Sequence, residues 1–196
     1  MTVGLLGGAF DPPHNGHVAL ARDAAGRLGL DRVVIVVVAD PGHKDVHLDA
    51  ATRLELARAA FPGHDVVLDE HPRTVDMLRE GRWPDPVFLI GADEFAGFLS
   101  WKDPDGVLEL ARLGVATRPG YPRERLERVL RRLRRPERVV FFEIEPVSVS
   151  SSDVRARVAR GEPIADLVPP TVAEAIERRG LYREEGRGEG PVEGRG

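Results

Sequence analysis

Six short aliphatic runs, Val3 to Leu6, Arg32 to Val38, Val66 to Leu68, Val87 to Ile90, Leu113 to Ala116 and Val139 to Ile144, alternate with segments of helical periodicity. Runs of this kind read as strands buried on both faces, and strands joined through helices pair in parallel. The expected architecture is an α/β, Rossmann-like parallel sheet with helices on both faces and a small helical C-terminal part, with ligands at the carboxyl ends of the strands. The first helix carries Val18, Ala21, Ala25 and Leu28 on one face, and the second opens with Thr52 and Glu55 in capping-box spacing. After Pro146 a serine run leads into a helix from about Asp153 to Arg160, stopped by Gly161. A last helix starts after Pro169 and Pro170, with Thr171 and Glu174 spaced as another capping box, and ends near Gly180.

A chain of 196 residues, 42% hydrophobic, fills one sizeable core and little more, so residues 1–183 are expected to form a single domain. Residues 184–196 are glycine and charge with almost no apolar side chains, and are expected to be a flexible tail. No internal repeat is visible. The formal charge of −4 gives no overall pull toward nucleic acid or an anionic membrane. The absence of cysteine excludes disulfides, thiolate nucleophiles and cysteine-ligated metal centres. Met1 to Phe10 lack the basic start of a signal peptide, and no apolar run approaches the roughly 20 residues of a membrane span. A cytoplasmic protein is expected.

The segment Gly7-Gly8-Ala9-Phe10-Asp11-Pro12-Pro13-His14-Asn15-Gly16-His17 lies directly after a predicted strand and before a predicted helix. Glycines there let the backbone approach a ligand, and the helix start offers unpaired N–H groups to a phosphate. Two histidines separated by two residues can aim imidazole N–H donors at the same phosphate. A zinc site is the weaker reading, because His14 and His17 have no obvious third ligand nearby. The later segment Val149-Ser150-Ser151-Ser152-Asp153-Val154-Arg155 combines serine hydroxyls, a helix start and an arginine, a second anion cradle.

The first segment resembles the G-G-x-F-D-P-x-H-x-G-H signature of the nucleotidyltransferase superfamily, and the second its I-S-S-T-x-I-R motif. Class I aminoacyl-tRNA synthetases share the H-x-G-H core, but this chain is too short for their domains and has no K-M-S-K-like loop. Three further segments are similar to those of bacterial nicotinate-mononucleotide adenylyltransferases. Pro41-Gly42-His43-Lys44 resembles P-P-H-K, with Gly42 in place of a proline. Ile90-Gly91-Ala92-Asp93 followed by Phe98-Leu99-Ser100-Trp101 resembles the family's I-G-A-D to tryptophan stretch. Thr74-Val75-Asp76 is similar to the T-x-D of S-Y-T-x-D-T, with Pro72 and Arg73 replacing serine and tyrosine. Arg118-Pro119-Gly120-Tyr121, Ile164 to Pro169 and Gly180-Leu181-Tyr182 extend the resemblance toward the end of the chain.

The resemblance implies adenylyl transfer from ATP to nicotinate mononucleotide, with magnesium arriving on the ATP, no metal ligand of the protein's own, and a homo-oligomeric assembly. It implies catalytic roles for His14, His17, Lys44 and Arg155. ATP would be held by Gly7, Gly8, Ala9, Phe10, His14, His17, Gly91, Asp93, Arg118, Ser151, Ser152 and Arg155. The acceptor would meet Lys44, Thr74, Asp76, Asp93 and Trp101, the tryptophan stacking on the pyridine ring. A pantetheine-phosphate adenylyltransferase or a cytidylyltransferase would share the histidines but should lack the Asp93 to Trp101 segment. A nucleic-acid module is suggested by the arginines between Arg118 and Arg138, but Leu126, Val129, Leu130 and Leu133 give that helix an apolar face, and its arginines then cover the solvated one. Neither nucleic acid nor membrane is expected as a partner.

Overall fold

A computed structural model of the chain describes residues 1–42, 46–145 and 147–183. Lys44 and the expected tail, 184–196, lie outside the described residues. Six strands, β1 (Val3–Gly8), β2 (Arg32–Val38), β3 (Asp65–Asp69), β4 (Val87–Gly91), β5 (Arg112–Thr117) and β6 (Val139–Glu143), form one sheet in the order β3-β2-β1-β4-β5-β6. Every pairing is parallel, and all six expected strands are present. The strand order reverses between β1 and β4, since the chain runs outward from β1 to β3 and then returns to pair β4 against β1. A crevice opens at such a switch point, outside the carboxyl ends of the strands.

Alternate strand residues face opposite layers, as the pleat requires. Leu6, Ile35 and Leu89 pack with α1 (Asn15–Arg27), α2 (Ala50–Ala60), α7 (Ser151–Ala159) and α8 (Pro170–Arg179). Leu5, Val34 and Val36, with Phe88 and Ile90, pack with α3 (Thr74–Arg79), α4 (Ala92–Ala96), α5 (Pro104–Leu110) and α6 (Arg123–Leu130). The last two helices therefore complete one layer of the sandwich. Leu126, Val129 and Leu133 are buried, so the apolar face read from the sequence is the one α6 turns inward. Among the described residues no helix is long and apolar enough to cross a membrane.

Three helix starts differ from the sequence reading. The second helix begins at Ala50, with Asp49 as its cap: the Asp49 carboxylate accepts from the Thr52 amide at 2.9 Å and the Thr52 hydroxyl at 2.8 Å. Glu55 instead pairs with Arg179 of α8. The expected box at Thr171 does not cap α8 either, because Pro169 and Pro170 set the first turn and the Thr171 hydroxyl donates to the Ala59 carbonyl at 2.7 Å. The helix expected from Asp153 begins at Ser151. Its cap is Ser150, whose Oγ accepts from the Asp153 amide while the Asp153 carboxylate takes the Ser150 amide at 2.9 Å. Asp153 thus completes a capping box, and counted back from Arg155 it falls on the variable position of the motif, with Ser152 on the threonine. The stops hold as read: Gly161 and Gly180 take left-handed φ values of 68° and 63°.

Candidate active site

The loop after β1 depends on its two glycines. A Cβ on Gly7 would come within 3.0 Å of the Phe88 ring, and one on Gly8 within 3.1 Å of the Phe10 ring. Phe10 itself is buried, edge-on to His17 at 5.0 Å and to Phe61 at 5.9 Å. Its side chain supports the histidine from beneath, which leaves only its backbone for a nucleotide.

His14 is the N-cap of α1 and His17 its third residue. Their rings stack at 3.7 Å with 25° between planes, and the His14 amide donates to His17 Nδ1 at 3.2 Å. Because Nδ1 accepts, the neutral His17 ring carries its proton on Nε2, fixing which atom is the donor. Gly16 lets the pair close up, since a Cβ there would stand 3.0 Å from His14 Nδ1.

Burial lowers the His14 pKa to about 4, against the opposing pull of the Asp153 carboxylate, so the ring is neutral at pH 7. The folded value lies below the 6.5 of an ordinary histidine, so on acidification the unfolded chain takes up a proton that the folded chain refuses. This contribution is fully present above about pH 6.5 and is lost as the pH falls toward 4, by about 2–3 kcal/mol. Urea titrations at pH 7 and pH 4.5 should show wild type losing more stability than His14→Gln; equal losses would show that His14 does not carry the effect.

The second motif folds back onto the first. Ser151 Oγ donates to the Pro12 carbonyl at 2.8 Å, Arg155 Nη1 to the Asp11 carbonyl at 2.6 Å, and Arg155 Nη2 to Ser152 Oγ at 3.4 Å. Two groups that the sequence pattern gives no role, Asp11 of the first segment and Arg53, hold this junction from inside. The Asp11 carboxylate, 2% exposed, accepts from the Tyr182 hydroxyl at 2.7 Å and from the His47 amide. Arg53, 1% exposed, donates to the carbonyls of Ala9 and Val38 at 2.8 Å, Ala39 at 2.7 Å and Leu48 at 3.1 Å.

Beside this loop, over the ends of β1 and β4, lies a cleft of about 570 Å³. Gly7, Gly8 and Ala9 form one edge, with Asp93, Thr74 and Trp101 on its walls. Trp101 is half-buried, braced edge-on by Phe98 at 5.2 Å and Phe88 at 6.1 Å. Asp93 accepts from the Tyr121 hydroxyl at 3.0 Å. Asp76 is not on the wall: it holds Lys102 Nζ at 2.9 and 3.1 Å and Arg79 at 3.3 Å, and Lys102 is the residue that lines the cleft. Gly91 caps α4, and Arg118 is exposed beyond the end of β5; neither lines the cleft. His14, His17, Ser151, Ser152 and Arg155 do not line the cleft itself; they lie at the first turns of α1 and α7, past the loop that leaves its glycine edge. His71, also on the wall, lies between Asp69 at 2.8 Å and Glu80 at 3.3 Å, and the hydrogen bond that its Nδ1 gives to the Asp69 carboxylate raises its pKa.

The model of the cytidylyltransferase-like family matches residues 5–157. A probable nicotinate-nucleotide adenylyltransferase of Rubrobacter xylanophilus is 39% identical, the match covering 95% of this chain and 94% of the relative. A probable nicotinate-nucleotide adenylyltransferase of Thermus thermophilus is also 39% identical, over 93% of this chain and all of the relative. Among solved structures, Plasmodium falciparum nicotinic acid mononucleotide adenylyltransferase complexed with NaAD superposes with a TM-score of 0.73. It is 17% identical, with 92% of this chain and 97% of that chain covered, and shares the fold.

Proposed function

Because the chain belongs to the cytidylyltransferase-like family and, within it, to the nicotinate-nucleotide adenylyltransferases, we propose that its switch-point cleft joins ATP to nicotinate mononucleotide, yielding nicotinate adenine dinucleotide and pyrophosphate for NAD biosynthesis. The observation that carries the placement is the meeting of the Gly7 to His17 loop with the Ser151 to Arg155 helix start, beside a cleft walled by Trp101.

The acceptor phosphate is already anionic, so its oxygen attacks the α-phosphorus in line with departing pyrophosphate, and no protein nucleophile is needed. Alignment of the two reactants supplies roughly 7–11 kcal/mol of the barrier. His14 and His17 hold the α and β phosphates. Arg155, with N–H groups beyond those given to the loop, and Lys44 follow the migrating charge, while Ser151 and Ser152 meet the outer phosphates. Gly7, Gly8, Ala9 and the backbone of Phe10 cradle the nucleotide, Asp93 takes ribose hydroxyls, and Gly91 and Arg118 support the adenosine side. Trp101 stacks on the pyridine, and Thr74 lies beside it. Asp76 acts on the acceptor indirectly, by holding Lys102 on the wall.

Among the described residues no three histidine, aspartate or glutamate side chains converge as a metal cage would require. Magnesium would travel as its complex with ATP, neutralising phosphate charge and keeping most of its waters. The reading includes residues 1–183 as one catalytic domain, a cytoplasmic setting, a homo-oligomer, and small molecules as the only substrates.

The test is pyrophosphate release from magnesium-ATP with nicotinate mononucleotide, nicotinamide mononucleotide and phosphopantetheine offered separately. Fast release with the acid is expected. Release only with phosphopantetheine, or with none, would remove the proposed function.

A further inference from the structure

We infer that Arg73 reads the carboxylate of the pyridine mononucleotide and so sets the preference for the acid over the amide, an inference that rests on the function proposed above. Among the described residues lining the cleft there are three cationic or protonatable side chains, His71, Arg73 and Lys102. His71 is flanked by Asp69 and Glu80, and Lys102 is held by both carboxylate oxygens of Asp76. Arg73 has no carboxylate partner among the described residues; its guanidinium donates to the Pro72 carbonyl at 2.7 Å and is otherwise exposed on the wall. A cation left without an internal partner, in a cleft that also carries Asp69, Asp93 and Glu94, is the group best suited to receive an anion there.

The neighbouring substitutions point the same way. Pro72 stands where the related motif has serine, so this position offers neither an amide nor a hydroxyl donor. The next residue restores donors as a guanidinium, which can hold both oxygens of a carboxylate and cannot form the same charge-assisted pair with a carboxamide. Beside Arg73, Gly42 stands where the related loop has proline. Its φ of +49° is closed to proline, and its amide donates to Asp40 Oδ1 at 3.0 Å, a bond proline cannot make. Among the described residues, a Cβ on Gly42 would meet one neighbour within 4 Å, Arg73 Nη1 at 3.6 Å. The departures at 42 and 73 therefore meet in space, within van der Waals reach of each other. With Thr74 and Trp101 lining the same cleft, a pyridine stacked on the indole can direct its carboxylate to Arg73.

Steady-state kinetics of Arg73→Ala and Arg73→Lys with the acid and the amide test this. For the alanine variant the KM for nicotinate mononucleotide should rise about 10- to 100-fold while that for the amide barely moves, as expected for loss of one charge-assisted bidentate contact. The acid-to-amide selectivity should fall by the same factor, with kcat and the KM for ATP preserved, and lysine should recover part of the loss. Equal weakening of acid and amide would overturn the inference in favour of a contact to their shared phosphate, and unchanged constants would leave Arg73 in solvent. Wild type that releases no pyrophosphate with either mononucleotide would fail the proposed function itself, a result separate from both.

Discussion

Replacing Arg53 with methionine is expected to lower stability by about 3–5 kcal/mol, the range found when one partner of a buried charged network is removed. The guanidinium is 1% exposed and bridges four carbonyls from three stretches of chain: Ala9 in the loop after β1, Val38 and Ala39 at the end of β2, and Leu48 before α2. Methionine fills much of the volume but supplies no donor, and each stranded carbonyl costs about 1–3 kcal/mol where water cannot replace the bond. A domain with only about 5–15 kcal/mol in hand loses a large share of it. Lysine should be intermediate, since one ammonium has three donors and no planar fork. Burial pulls the Arg53 pKa down while the Asp11 carboxylate opposes it, so the charge stays and its partners matter. Urea unfolding of the three proteins measures the effect, and kcat per folded molecule should also fall because Ala9 belongs to the loop that leads to the histidines. A methionine variant within about 1 kcal/mol of wild type would mean that these carbonyls find other donors.

Arg53 also shows where sequence reading stops. Position 53 falls on the same helical face as the buried Leu56, Ala57 and Ala60, so its burial was legible from spacing alone. An arginine there reads as a break in the apolar stripe, because the carbonyls that repay its burial come from positions 9, 38, 39 and 48, which no local pattern links. The four inner strands were legible for the opposite reason: a strand buried on both faces must be a continuous apolar run whatever its neighbours are, and the edge strands β3 and β6 keep the apolar pattern although Leu68, Val140 and Phe141 stay exposed. Helix starts were less so. Thr52 with Glu55 and Thr171 with Glu174 have capping-box spacing, yet Asp49 in one case and the Pro169-Pro170 pair in the other set the first turn. The phosphate motifs were legible because donors and glycines are clustered within each. Their mutual contacts, Ser151 to Pro12 and Arg155 to Asp11, span more than a hundred residues and needed the fold. The same holds for Lys102, which is held at the cleft wall by Asp76 of α3.

His17→Ala is expected to lower kcat about 100- to 1,000-fold, the usual cost of removing one preorganised donor from developing transition-state charge. With Nδ1 committed to the His14 amide, the neutral ring presents Nε2–H, and no reorganisation is needed when charge moves toward pyrophosphate. The same contact gives His17 a structural duty, since the third residue of α1 satisfies an amide that a helix start otherwise leaves unpaired. Losing it should cost about 1 kcal/mol, too little to unfold the protein. Glutamine separates the two duties. At the third position of a capping box its side-chain carbonyl can accept from the N-cap amide as Nδ1 does. His17→Gln should therefore regain the stability lost in alanine and leave kcat low, measured as burst-free pyrophosphate release under saturating substrates. Turnover near wild type in the alanine variant would remove His17 from the transition state. Turnover restored by glutamine together with stability would reduce it to a helix cap, and catalysis at the phosphates would then have to rest on His14 and Arg155.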